Sequence, residues 1–317
     1  MTPESSSSSR DSGAIARLRR AFRGTLVWYG FVLPPLFLIL VFIGYPTAIA
    51  FEQSVFTQDP GGGQKFAGTF HFERLVTDRV FWGALANTIL LGVAFLVIII
   101  PLATILASML NRVRRGATPL KVIYFLPQLT SSVAIAIMFN YVFQPDWGLL
   151  NGALRALGVT HLPLWLADPR YDLTGSRAAA TILAVWAGLG YFIIIVLAGL
   201  QSIPNDLYDA AAIDGASPLQ SWWYVTLPSL KPTFIFLIIT GSIDQLARFS
   251  DLWTLGGPGG SPARSLQSIV MYIFQQGFVG SDFSLAAAAA VVFFMIVLVV
   301  TTIAFWGFLR REFTAVR

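Results

Sequence analysis

Asp244 and Arg248 are the residues whose types and spacing first suggest chemistry. They stand four apart inside an apolar run, acid before base. On a helix they would share one face, one turn apart, in the order that favours an ion pair. Ionisable groups at membrane depth face a bundle interior or a water-filled path, so one reading is a polar patch, or outer gate, in a route across the membrane. A second reading stays open beside it. Counted from Thr233, Arg248 lies ~22 Å along such a helix at ~1.5 Å per residue, far enough to reach the headgroups as part of a structural ion pair. Gln245, Phe249 and Trp253 sit on the same stretch, and Asn87, Asn140 and Tyr141 lie in other apolar runs. These groups can hydrogen-bond or stack on a solute. An isolated Asn equally ties helices together, and an aromatic near a span end equally anchors the interface.

Other chemistry is excluded by residue type. The chain has no cysteine, hence no disulfide, thiolate metal site or cysteine nucleophile. His71 and His161 fall far apart in polar stretches, with no second ligand at metal-binding spacing. No G-x-x-x-x-G-K-[ST] loop is present to hold ATP phosphates, and the apolar runs contain no cluster of nucleophile, base or metal ligands. A membrane-embedded enzyme is therefore disfavoured.

The elements that must position these groups follow from composition. Of 317 residues, 56% are hydrophobic and 12% charged, and the mean hydropathy is +0.69, the composition of a membrane protein. The net charge of +5 is scattered between apolar runs; no basic domain exists to hold nucleic acid, and topology explains the balance better. Residues 1–24, with a serine run and then Arg10, Arg17, Arg19, Arg20 and Arg23, contain too little apolar surface to fold alone and read as a disordered cytoplasmic tail. The remainder, 25–317, reads as one transmembrane domain with spans near 26–51, 82–108, 119–143, 177–200, 233–249 and 284–309. The first run is too long for a signal-peptide core. An even number of spans puts both termini on one side. Arg112, Arg114, Arg115 and Lys121 in the second connection, and Arg310, Arg311 and Arg317 at the end, mark that side as cytoplasmic.

Between the fourth and fifth runs lies a polar interruption, residues 205–232. Asn205 is suited to cap a short helix, Gly215 to close it in the left-handed conformation, and Ser217 with Pro218 to open a second helix. Its charges, Asp206, Asp209 and Asp214 against Lys231, oppose the positive-inside rule, so its cytoplasmic placement rests on counting spans. Asp209-Ala210-Ala211, then Asp214-Gly215-Ala216, then Val225-Thr226-Leu227-Pro228 resembles the EAA loop of ABC importer permeases. Asp209 stands where that family usually has Glu, and Val225 where it usually has Ile. The segment Trp253 to Pro258, with Gly256-Gly257-Pro258, resembles the signature after the fifth span of carbohydrate-type permeases, and Phe81-Trp82 with Asn87-Thr88 fits the same pattern.

The resemblance implies an all-α membrane protein: a bundle of about six transmembrane helices with a cytoplasmic coupling helix, in a bacterial cytoplasmic (inner) membrane. It implies that Asp209, Ala210, Ala211, Asp214, Gly215 and Ala216 dock into a groove of an ATP-binding subunit. That subunit would carry ATP and Mg, and this chain would bind no cofactor directly. The implied partners are a second, similar permease chain, an extracytoplasmic solute-binding protein and membrane lipid. The implied substrate is a sugar or related polyol, including glycerophosphate-type compounds, moved by alternating access. Asn87, Asn140, Asp244, Gln245, Arg248, Phe249 and Trp253 are then the candidate lining of the pathway, since a sugar offers hydroxyls at its rim and a flatter apolar face. The rival reading is an ion-coupled secondary transporter. It needs buried acidic carriers and paired inverted halves; Asp244 is the one good acid, and no halves are visible.

Overall fold

The structure, a computed structural model, describes residues 29–58, 63–113, 117–167 and 173–315. The expected tail at 1–24, and with it Arg114, Arg115, Arg170 and Arg317, lies outside the described residues.

Among the described residues, four helices are long and apolar enough to cross a membrane, or up to six if each of two bent pairs is one span. The first is α1 (Tyr29–Val55), whose large side chains are almost all exposed, Phe31 and Phe42 among them. A short hairpin of β1 (Phe56–Gln58) and β2 (Gln64–Phe66) leads to α2 (Phe70–Thr77). The next span, α3 (Arg79–Asn111), is started by Asp78, whose Oδ1 accepts from the backbone N–H of Val80 at 2.7 Å and of Phe81 at 3.3 Å. Phe81, Leu85, Thr88, Leu91, Phe95, Ile99, Ala103 and Ala107 recur at three- and four-residue intervals and are buried, the stripe of a helix with one face in the core. Leu90, Val93 and Val97 on its other face are exposed. In a bilayer that face meets acyl chains or a neighbouring helix.

The expected third span is not one helix. α4 (Ala117–Phe125) tightens into a 3-10 turn at Leu126–Leu129 and breaks at Thr130, and α5 (Ser132–Val142) leaves at 98° to it. Pro127, which lacks an N–H to donate, sits inside the tight turn. After it come the small α6 (Leu149–Ala156) and then α7 (Leu173–Gln201), the central helix against which α3 packs. Glycines permit its close approaches: a Cβ on Gly190 would lie 2.1 Å from the carbonyl oxygen of Tyr124 in α4, and one on Gly199 would lie 2.5 Å from Thr233 Oγ1.

The 205–232 segment forms α8 (Asn205–Ile213) and α9 (Pro218–Ser229), and α9 meets α10 (Lys231–Leu246) at a 58° bend. The expected fifth run therefore starts slightly early and ends early, because the chain leaves helical geometry after Leu246 and Phe249 adopts φ −139° and ψ −62°. It restarts as α11 (Ser250–Gly256). The glycine-rich connection after α11 folds back into the bundle, with Ser265, Leu266, Gln267 and Ser268 buried. α12 (Ile269–Val279) and the long α13 (Phe283–Ala315) complete the chain. In α13 the run of alanines packs closely: Ala288 and Ala289 are fully buried among Leu75, Phe81 and Tyr272.

Candidate functional site

Four segments distant in sequence enclose a cavity of about 530 Å³. α3 supplies Phe95; the break between α4 and α5 supplies Pro127, Gln128, Thr130 and Ser132; the middle of α7 supplies Leu183 to Phe192; and the end of α10 with the α10–α11 junction supplies Thr240, Asp244, Gln245 and Arg248 to Asp251. Non-helical backbone at membrane depth is tolerated where it lines such a space, so the break that spoils the third span helps to make the cavity. Its volume is within the range of sites that hold small organic ligands.

Here the predicted pairing of Asp244 with Arg248 is corrected. Because α10 ends at Leu246, the two are not one turn apart on a continuous helix. Arg248 turns instead to Asp251, donating from Nε at 3.0 Å and from Nη2. Its Nη1 donates to Gln245 Oε1 at 3.2 Å and its Nη2 also to the carbonyl of Ala180 at 3.1 Å. Both charged residues are 8% exposed. A guanidinium engaged through four of its five N–H groups in this way locks three elements: the α10 end, α11 and α7. Ser268 Oγ donates to the Arg248 carbonyl at 2.8 Å and adds a fourth, the start of α12. Asp244 is exposed to the cavity, and Gln245 Nε2 donates to its Oδ2 at 3.3 Å.

Of the seven predicted pathway residues, Asp244, Gln245, Arg248 and Phe249 line this cavity. The other three do not. Asn87 is buried and wholly engaged: its Nδ2 donates to the carbonyls of Arg264 at 2.7 Å and Gln267 at 3.3 Å, and its Oδ1 accepts from Arg177 at 2.7 Å. It ties α3 and α7 to the glycine-rich connection. Asn140 donates to the carbonyl of Thr254 at 3.1 Å and fastens α5 to α11. Trp253 packs against Phe249 and Phe274, with both ring centroids at 5.2 Å. Sequence reasoning missed Asp251, Gln128 and Tyr191. An acid three residues after Arg248 was the available signal for the first; nothing local marks the other two.

The second candidate element is the 205–232 segment at one end of the bundle. Pro204, not Asn205, occupies the cap position of α8 and makes no side-chain cap bond; Asn205 is the first helical residue. Gly215 has φ +77°, the left-handed conformation that its lack of a Cβ permits. Ser217 forms a full capping box, Oγ accepting from Gln220 N at 3.4 Å and Gln220 Oε1 accepting from Ser217 N at 2.7 Å. α8 has no buried residue. Asp209, Ala210, Asp214 and Gly215 are exposed, Ala211 and Ala216 half-buried, and Ile213 and Leu219 are 86% and 67% exposed. Two bonds hold this knob from behind. Tyr208 Oη and Thr226 Oγ1 lie 3.0 Å apart, and Trp222 Nε1 donates to Ser108 Oγ, near the end of α3, at 3.1 Å.

Among the described residues no group of three or more His, Cys, Asp or Glu side chains is placed to hold a metal ion.

Comparison with known proteins bears on both elements. The family described as binding-protein-dependent transport system inner membrane component matches residues 99–313. The lactose transport system permease protein LacF of Rhizobium radiobacter is 36% identical over 252 residues, 78% of this chain and 82% of the relative. The sn-glycerol-3-phosphate transport system permease protein UgpA of Yersinia pestis bv. Antiqua is 30% identical over 291 residues, 90% of this chain and 95% of the relative. A crystal structure of a bacterial ABC transporter that imports the acidic polysaccharide alginate superposes with a TM-score of 0.75 at 25% identity, covering 91% of this chain and 96% of that one. A second, of the alginate transporter with its pentasaccharide-bound periplasmic protein, gives 0.75 at 26% identity over the same shares.

Proposed function

Because the chain belongs to the family of binding-protein-dependent transport system inner membrane components, we propose that it is the permease subunit of an ATP-driven importer for a sugar or a related polyol or glycerophosphate. The observation that carries the mechanism is the physical continuity between the exposed knob and the cavity wall. α9 runs through the 58° bend directly into α10, and α10 carries Asp244 and Gln245 into the cavity. Lys231 and Gln245 are ~21 Å apart along that helix at ~1.5 Å per residue. The Trp222–Ser108 bond couples the same knob to α3, whose Phe95 lines the cavity too.

The exposed knob suits a groove on an ATP-binding subunit. Ile213 and Leu219 supply apolar contact, Asp209 and Asp214 supply charge, and the Gly215 corner with the Ser217 cap makes the unit stiff. Closure of two ATP-loaded motor subunits draws the knobs of two permease chains together, tilts α10 and α3, and opens the cavity outward. ATP and Mg reside on the motor, and the chain itself does no chemistry on the solute. A solute-binding protein delivers cargo from outside. On this reading the 205–232 segment and both termini are cytoplasmic, and the partner permease is similar but not identical.

The test is co-purification of ATPase subunits with the wild type, with Gly215→Val and with Ile213→Asp. A β-branched residue at φ +77° is strained, and a carboxylate at an exposed apolar contact is unpaired on docking. Wild type retaining the ATPase while both inserted variants shed it is the expected result. Wild type that never holds an ATPase, yet moves solute down an ion gradient when purified alone, sinks the proposal.

A further inference from the structure

The charges in the cavity narrow the substrate class. We infer that the solute passed by this permease is uncharged, a neutral glycoside or polyol, and not a glycerophosphate or a uronate; the inference rests on the importer reading above. Three charged residues line the cavity, Asp244, Arg248 and Asp251, so the lining of this chain sums to one negative charge.

The one cation is already spent on the protein. Arg248 gives Nε and Nη2 to Asp251, Nη2 also to Ala180 and Nη1 to Gln245. Anion-binding sites present several free guanidinium or ammonium donors to the ligand, and here four of the five Arg248 N–H groups are committed to Asp251, Ala180 and Gln245. Pulling Arg248 toward a phosphate or carboxylate leaves Asp251 buried without its counter-charge, which is strongly unfavourable. The charge that does face the open volume is the Asp244 carboxylate, which accepts from the neutral amide of Gln245 at 3.3 Å. A carboxylate accepts hydrogen bonds from hydroxyls well and repels an anion.

The remaining lining fits a neutral polyhydroxyl compound. Gln128, Thr130, Ser132, Thr240 and Ser250 offer both donors and acceptors, and Tyr191 and Phe249 offer ring faces. At roughly 6 Å in a partly watered space of effective dielectric ~40, one like charge disfavours a monoanion by about tenfold.

The experiment is ATP-dependent uptake in proteoliposomes that hold the whole transporter and its solute-binding protein. The probes are lactose, sn-glycerol 3-phosphate and an alginate oligosaccharide, in wild type and in Asp244→Asn. The expected result is import of the neutral sugar, with each anion at a tenth of that rate or less and the gap narrowed by about tenfold in Asp244→Asn. Because Asp244 belongs to the permease and not to the binding protein, a gap that moves with it reports the cavity. Import of either anion at a rate equal to lactose overturns the inference while leaving the importer reading in place. So does a gap unchanged by Asp244→Asn. A transporter that imports no solute under ATP overturns the importer reading itself, and the inference with it.

Discussion

The Arg248–Asp251 pair is the part of the cavity whose energetics can be worked out from geometry. Both residues are 8% exposed, and the guanidinium donates two hydrogen bonds to one carboxylate oxygen. Asp251→Asn keeps the volume and an amide oxygen but removes the charge, leaving the Arg248 cation buried with only neutral acceptors, among them Gln245 and the Ala180 carbonyl. Breaking a buried pair from one side costs about 3–5 kcal/mol, most of it from the charge left behind. Arg248→Met strands Asp251 in the same way and carries a similar cost. If the stranded charge is the cause, the double variant loses no more than either single one, about 3 kcal/mol, instead of the ~6–10 kcal/mol of an additive sum. SDS titration of the purified permease in mixed micelles, followed by tryptophan fluorescence, gives the three free energies. Costs that add, or single variants within about 1 kcal/mol of wild type, would falsify the view that this pair locks α10, α11 and α7 together, because an exposed pair behaves that way.

Further outcomes follow from close contacts elsewhere. Gly190→Ala places a Cβ 2.1 Å from the Tyr124 carbonyl oxygen, where only backbone can yield; it should lose ~3 kcal/mol and most uptake. Gly188→Ala, two residues away, meets side-chain atoms of Phe95 and Ile99 at 3.3 Å and should lose under ~1 kcal/mol, so equal melting temperatures for the two would refute the assignment of α7–α4 contact to Gly190. Trp222→Phe keeps the ring and loses the bond to Ser108; ATPase should stay bound while solute imported per ATP falls, and an unchanged ratio counts against this link as a transmission element. Ser217→Ala should cost ~1 kcal/mol through loss of the cap, with Ser217→Asp restoring most of it in the same melting assay.

Local chemistry was legible and tertiary chemistry was not. Gly215 and Ser217 announce their conformations by residue type alone, since few other residues accept φ +77° or cap a helix and close a capping box with Gln220. Asn205 misled because Pro204 already supplies the non-helical residue that begins α8. The long apolar runs correspond to long apolar helices, but two interruptions were not read. The first had a signal, since Pro127, Gln128, Thr130, Ser131 and Ser132 crowd the middle of the third run, whereas α10 stops at Leu246 without the glycine or proline that usually marks an end. That second stop is why Asp244 and Arg248 looked like a pair. Asn87 read correctly only in its bland form, as glue between helices; its partners Arg177 and Gln267 lie 90 and 180 residues away, beyond any local pattern. The cavity, drawn from four segments, could be seen only once they were folded together.

The bend at Leu230 also sets a mechanical ratio. Leu230 is fully buried, so it is a natural fulcrum, with α9 as one arm and α10 as the other. Twelve residues of α9, Pro218–Ser229, give an arm of ~18 Å, and sixteen of α10, Lys231–Leu246, one of ~24 Å, at ~1.5 Å per residue. Turned as one body, such a bent lever moves Asp244 and Gln245, ~21 and ~22 Å from Leu230, about 1.2 times as far as the knob. On the importer reading proposed above, a stroke of a few ångströms at the knob arrives at the cavity slightly enlarged, which would make the stiffness of one buried leucine's surroundings a determinant of how much solute each ATP moves.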